Sequence, residues 1–413
     1  MRTKSAAGSR SSSPQDMLEK AVGLHRQRNF KGAVKWYRRL LKQTPDNPQV
    51  LNMCGLATGE LGDLPTAVRM LEKSVRVDPD YADGWLNLGA VRQRAGDHEA
   101  AIKAFTRARA LAPDDADGHV KFANACQMID RQEDAVAAYE RALDIDPSDG
   151  AVWRNLSRAA LVAGAWDKSV KAANRSLEFF PGNTGVLAIK ATALLELGDE
   201  DALSGLVDFE RLIQCQEFSP PAGYADMASF NDALCAHCLD HPSLTFEPGD
   251  NTTMKGHQTG NLADDEGEEQ GPIADLLAMI DDAVRAYQET HPVDADHPFL
   301  ARHPQRWNTD IWATVLGSQG HQAPHIHLSG WLSGCYYARI PDCVSADDDD
   351  KAGWIEFGRP HPYPKADAEP IVQSYQPAEG MVVLFPSYFY HRTEPFVSDE
   401  MRISIAFDII PSE

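Results

Sequence analysis

The 413-residue chain has no run of eighteen or more apolar residues, so no stretch of it is expected to cross a membrane as a helix. Cysteine is scarce: seven residues, an odd number scattered along the chain, exclude a disulfide framework and fit a reducing compartment. The expected location is therefore cytoplasmic. Positive charge is also short, with 39 Lys and Arg against 61 Asp and Glu and a formal net charge of -22. Phosphate neutralisation needs cations, so nucleic acid is excluded as the expected partner and a neutral or basic protein segment suits better. What remains is ordinary globular composition, 43% hydrophobic and 24% charged, in a chain too long for one core.

Three local features carry little. The opening MRTKSAAGSRSSSP is Ser-rich, basic and without acidic residues, but it is short and has no apolar segment, so residues 1–13 read as a disordered tail. Cys235 and Cys238 form a CxxC with His237 and His241 nearby. A zinc site of that kind normally needs a second paired cluster, and none is visible, so the thiols read as ordinary residues of a helix. The acidic stretches ADDEGEEQ (263–270) and DDDDK (347–351) read as solvated insertions.

Repetition dominates the first half. Pro45, Pro79, Pro113, Pro147 and Pro181 recur every thirty-four residues. In the same frame Ala33, Ala67, Ala101 and Ala135 fall in one column, with Ser169 fifth, and Tyr37, Leu71, Phe105, Tyr139 and Ala173 in another. Small residues (Gly55, Gly89, Ala101, Ala135) let two antiparallel helices approach, larger ones fill the gap, and the proline stops the second helix. The fullest copy is ADGWLNLGAVRQRAGDHEAAIKAFTRARALAPDD. The pattern resembles the tetratricopeptide repeat family over about residues 14–183, and the stretch 184–215 reads as a capping unit. The resemblance implies a helical superhelix over 14–215 whose groove holds a protein or peptide.

After SPPAG, with 216–224 expected as a linker, the helical period persists through ASFNDALCAHCLDH and PIADLLAMIDDAVRAYQET and then gives way to alternation. RWNTDIWATVLG, WLSGCYYARI, GWIEFG, IVQSYQ, GMVVLFP and MRISIAFDII read as strands of a sandwich or barrel within a second domain over 225–413. In HQAPHIHLSGWLSG, His325 and His327 stand two apart, so on an extended strand both can face one ion. His391, after the strand GMVVLF, is a candidate third ligand. His321 shares their parity, but Pro324 is expected to break the regular strand between them. Arg402 opens a strand with Arg402, Ser404 and Ala406 on one side and Ile403, Ile405 and Phe407 on the other. A cation on a core strand is costly to bury without an anion.

The motifs HIHLSGWLSGCYY, LFPSYFYH and RISIAFD, in that order, resemble the iron(II)- and 2-oxoglutarate-dependent oxygenases across about 225–410. The resemblance implies a double-stranded β-helix, a jelly-roll of cupin type, with Fe(II), 2-oxoglutarate and O2 at one mouth. It gives His325 and His391 the histidine positions and His327 the place usually held by Asp or Glu. Arg402 would pair with the distal carboxylate of 2-oxoglutarate, Ser404 would add a hydrogen bond, and Tyr337 would contact the cofactor. Trp312, Trp331 and Phe385 are expected to wall the pocket. The implied activity is hydroxylation coupled to decarboxylation of 2-oxoglutarate to succinate, on a protein or peptide brought by the repeats. Two rivals are a repeat scaffold with a silent barrel and a three-histidine cupin enzyme that does not use 2-oxoglutarate.

Overall fold

The structure, a computed structural model, describes residues 13–249, 252–265, 270–344 and 350–412. The expected tail lies outside the described residues apart from Ser13, as do parts of both acidic stretches. Two compact units divide the chain, residues 1–159 and 160–413.

In the first unit four helix pairs follow the thirty-four-residue frame: Pro14–Arg26 with Phe30–Leu41, Pro48–Glu60 with Leu64–Val77, Ala82–Arg94 with His98–Leu111, and Ala116–Gln127 with Gln132–Ile145. The frame extends to the turns. Arg28, Gly62, Gly96, Asp130 and Gly164, each thirty-four residues apart, all have positive φ between the helices of a pair. At three of these turns the next residue caps the second helix: Asn29, Asp63 and Asp97 accept the amide N–H of Gly32, Thr66 and Ala100. Ala33, Ala67, Ala101 and Ala135 are fully buried. A Cβ on Gly89 would stand 2.5 Å from the Phe105 ring, which explains why a small residue faces each large one.

Left-handed backbone costs an L side chain about 1–2 kcal/mol, while glycine costs about 0.5–1 kcal/mol in extra unfolded-state freedom. Arg28→Gly is therefore expected to stabilise the repeat unit by roughly 0.5–1 kcal/mol. A higher urea midpoint at unchanged slope would show it.

Among the described residues of the second unit, ten strands join one antiparallel sheet: β1 (Gln214–Glu217), β2 (Thr245–Phe246), β3 (Thr253–Gln258), β4 (Trp307–His325), β5 (Leu332–Arg339), β6 (Ile355–Phe357), β7 (Gln373–Tyr375), β8 (Met381–Pro386), β9 (His391–Thr393) and β10 (Arg402–Pro411). Their order is β1-β8-β5-β10-β4-β9-β6-β7, with β3 on β4 and β2 on β3. The sheet curls into a jelly-roll, and the helices Met227–Asp240 and Pro272–Thr290 flank it. Phe230, Leu234, Leu276 and Ile280 from those helices share one core with Tyr336, Val383, Ile405 and Phe407 from the sheet. Among the described residues no helix is long and apolar enough to cross a membrane.

All six strands read from alternation are present. The four that were not, β1, β2, β3 and β9, are short, and QCQE, TF, TMKGHQ and HRT carry no alternating apolar run. The expected linker at 216–224 needs correction at its start, because Gln216 and Glu217 pair with Val382 and Met381 as part of β1. Pro324 does not end β4. The strand continues to His325, and its register against β9 shifts between Gln322 and His325, where the missing N–H is tolerated.

Strand β10 lies between β4 and β5 and organises the interior. Ile403, Ile405, Phe407 and Ile409 point into the apolar core, all 0% exposed. Arg402, Ser404, Ala406 and Asp408 alternate with them and belong to the opposite face. Gly334 sits across from Phe407, and a Cβ there would overlap the phenyl ring. Gly334→Ala should therefore destabilise the second unit by about 1–3 kcal/mol, read as a lowered Tm.

Candidate metal centre

Pairing between β4 and β9 sets His325 directly opposite His391, and His327 follows just past the end of β4. The ring centroids are 4.2 Å apart for His325 and His391, 5.0 Å for His327 and His391, and 5.2 Å for His325 and His327. One ligating nitrogen from each ring lies within 4.8 Å of the other two. His321, by contrast, pairs with Met254 in β3 and contacts the Gln319 carbonyl.

Hydrogen bonding fixes how each imidazole can act. His325 Nδ1–H donates to the Ala323 carbonyl at 2.7 Å, and His391 Nδ1–H donates to the Phe389 carbonyl at 3.0 Å. A carbonyl only accepts, so the proton belongs on Nδ1 and the lone pair on Nε2. His327 Nδ1–H donates to Asp408 Oδ1 at 2.6 Å, a carboxylate in the same role. Burial, reinforced by the neighbouring imidazoles, pushes the His325 pKa down to about 4 and that of His391 well below 6.5. Both rings are neutral donors of the kind first-row transition metals take.

The same shifts set a pH dependence for the metal-free chain. With the folded pKa values lowered, the unfolded chain binds more protons, so stability is full above about 6.5 and falls as pH drops toward 4. Thermal unfolding of chelator-treated protein at pH 7 and pH 5 should show the lower Tm at pH 5.

Arg402, 1% exposed, is among the largest fully buried side chains. Its Nη1 donates to Ser404 Oγ at 3.2 Å, its Nε has no partner, and the guanidinium sits 5.0 Å from the Tyr337 ring centroid. The Tyr337 hydroxyl is buried and also without a partner. No described carboxylate forms an ion pair with Arg402. A buried cation left this way fits an incoming anion, and its planar fork fits a carboxylate.

One small cavity joins the two halves. It is lined by His325, His327, His391 and Arg402, with Trp312, Phe385 and Gly334 among the walls. Its volume is about 20 Å³, room for little more than one water, so a dicarboxylate reaching from the imidazoles to Arg402 requires those walls to move apart. Ser404 enters as a partner of Arg402, and Tyr337 lies beneath the guanidinium. Trp312 stacks on His327 at 5.5 Å. Trp331 departs from expectation: it stacks on Phe299 at 5.2 Å and lines a different cavity with His303 and Pro304. It precedes β5, and its amide donates to the Ile409 carbonyl, which anchors it at the far end of β10.

Asp408 was missed from sequence. It is 8% exposed, and its Oδ1 accepts from both His327 Nδ1 and Ser333 Oγ, each at 2.6 Å. Ser333 in turn meets Ser387 Oγ at 2.8 Å. The signal was available, since Asp408 continues the polar parity of Arg402, Ser404 and Ala406 on β10.

Comparison with known proteins follows the same division. Residues 310–408 match the family described as "Putative 2OG-Fe(II) oxygenase", and residues 80–148 and 131–184 match tetratricopeptide repeat families. The chain thus joins a tetratricopeptide repeat array to a domain of the 2OG-Fe(II) oxygenase type. Solved structures similar to it include MamA, at 26% identity over 40% of this chain and 90% of that one, with a TM-score of 0.38. MamA from Desulfovibrio magneticus RS-1 is 19% identical over 41% of this chain and 94% of that one, with a TM-score of 0.37. YrrB, described as a TPR protein with an unusual peptide-binding site, is 16% identical over 42% and 90%, with a TM-score of 0.38. No curated protein matches the chain.

Proposed function

We propose that the chain is an iron(II)- and 2-oxoglutarate-dependent hydroxylase acting in the cytoplasm on a protein or peptide, which the repeat array recruits. The oxygenase domain is taken as residues 225–413, with β1 as an added edge strand. The observation that carries this reading is the single cavity shared by three inward imidazoles and a buried arginine with no counter-ion among the described residues. His325, His327 and His391 would hold iron(II) through Nε2. Arg402 would take the distal carboxylate of 2-oxoglutarate, with Ser404 holding the guanidinium and Tyr337 packing beneath it. Bound together, iron and 2-oxoglutarate would let dioxygen act as the oxidant, one oxygen atom going to succinate as 2-oxoglutarate loses carbon dioxide and the other to a substrate C–H bond.

The protein's own part is placement. The three Nδ1–H bonds keep each lone pair aimed inward, and Trp312 and Phe385 line the cavity with apolar rings. The histidine set carries no carboxylate, which would leave the centre one positive charge above the usual triad. Asp408 offsets this through His327.

Anaerobic titration of the iron(II) protein with 2-oxoglutarate tests the reading. A weak metal-to-ligand charge-transfer band and, in air, succinate release that requires 2-oxoglutarate are the expected results. Iron bound with no band would overturn it in favour of a cofactor-independent cupin enzyme, and a band without succinate release would point to a silent barrel.

A further inference from the structure

A second group of metal-ligating side chains lies away from this centre. We propose that His237, His241 and Asp265 form a separate site for one divalent transition ion, zinc(II) being the best match to two imidazoles and a carboxylate. This site does not rest on the oxygenase reading.

His237 and His241 are four residues apart at the C-terminal end of the helix Met227–Asp240, so both rings project from one face. Asp265 comes from a distant segment, directly after the short 3₁₀ turn Leu262–Asp264. Ser243 clamps the two segments: its Oγ lies 2.7 Å from His241 Nδ1 and accepts the Gly260 amide at 2.8 Å. One ligating atom from each of the three residues lies within 4.8 Å of the other two.

One observation separates this cluster from an ordinary hydrogen-bonded pair. The Ser243 backbone N–H donates to His241 Nδ1 at 3.3 Å, which puts the ring proton on Nε2 and makes its 3.0 Å contact with Asp265 Oδ2 a hydrogen bond that an ion would replace. His237 is what a direct bond leaves unexplained, because its Nε2 is buried with no hydrogen-bond partner. Gly271, at φ 50°, closes over the other side of that ring, where a Cβ would stand 3.1 Å from Nδ1. The nearby CxxC takes no part. Cys235 and Cys238 are 1% and 0% exposed and belong to the apolar core, so the ligands are imidazole and carboxylate rather than thiolate. Three protein ligands leave the fourth tetrahedral position to water, and the ion would tie the 261–265 segment to the end of the helix.

Zinc stoichiometry on the full chain, measured by competition with a chromophoric chelator after removal of bound metal, decides the matter. In a chain carrying His325→Ala and His391→Ala, one equivalent of zinc is expected. Adding His237→Ala should abolish it, and adding Asp265→Asn should weaken it at least tenfold. Absence of zinc binding in the doubly substituted chain, or an equivalent that survives His237→Ala, would overturn the proposal. Should the doubly substituted chain fail to fold, His237→Ala alone must lower the stoichiometry of the otherwise native chain by one equivalent, and an unchanged count would overturn it equally.

Discussion

Replacing Arg402 by alanine is expected to raise the 2-oxoglutarate concentration for half-maximal turnover on the order of a hundredfold or more, with iron affinity nearly unchanged. Truncating one partner of a buried, hydrogen-bonded charge pair costs about 2–5 kcal/mol, and each 1.4 kcal/mol is about a factor of ten. Arg402 qualifies because, among the described residues, its side chain hydrogen-bonds only to Ser404 and its Nε is unpaired. Arg402→Lys should fall between, since it keeps the charge but loses the two-pronged geometry.

The stability of the cofactor-free chain should move the other way. An uncompensated buried cation is destabilising, so Arg402→Met is expected to fold at least as stably as the parent while binding 2-oxoglutarate poorly. Half-saturation for 2-oxoglutarate, measured beside the Tm of the apo chain, reads both effects. A variant whose 2-oxoglutarate dependence matches the parent would remove Arg402 from the cofactor site.

Asp408→Ala is expected to weaken iron(II) binding by about 10–100-fold, the usual range for losing a carboxylate behind a metal-bound histidine. Asp408 is not one of the three clustered side chains. It holds His327 Nδ1–H and, with Ser333, sets the ring's orientation. Asp408→Asn should lose less, because its amide oxygen still accepts from Nδ1 while the negative charge is gone. The ordering parent, asparagine, alanine therefore separates the hydrogen bond from the charge. Chelator competition for iron on folded protein, checked by circular dichroism, measures it; equal affinity in all three would leave Asp408 a purely structural residue.

Much of this was legible from residue spacing. The prolines at thirty-four-residue intervals and the alanine column are periodic signals that need no tertiary contact to be read. Likewise the two-residue step from His325 to His327 and the alternation of β10 follow from strand geometry alone. Arg402 stood out because an arginine on a core strand has few explanations.

Other features depend on which segments meet. Asp408 has the parity of Arg402, but only the pairing of β10 between β4 and β5, together with the position of His327, makes it a hydrogen-bond acceptor for an imidazole eighty-one positions away. Trp331 looked like a pocket wall from its neighbourhood to the histidines. Its packing against Phe299 was set by the anchoring of its backbone to Ile409. β1 and β9 are strands because a neighbouring edge supplies their hydrogen bonds, and their own residues do not announce it.

His237 and His241 were visible as a spaced pair, and the CxxC beside them drew attention to thiols instead. Burial of those thiols and the arrival of Asp265 from twenty-four positions beyond His241 are tertiary outcomes. The sequence by itself thus determined the repeat array, the strand alternation and the chemical types at the candidate centre, because periodicity is a property of neighbouring residues. The tertiary structure alone decided which carboxylate serves His327 and which serves His241, because those contacts exist only when distant segments are packed against each other.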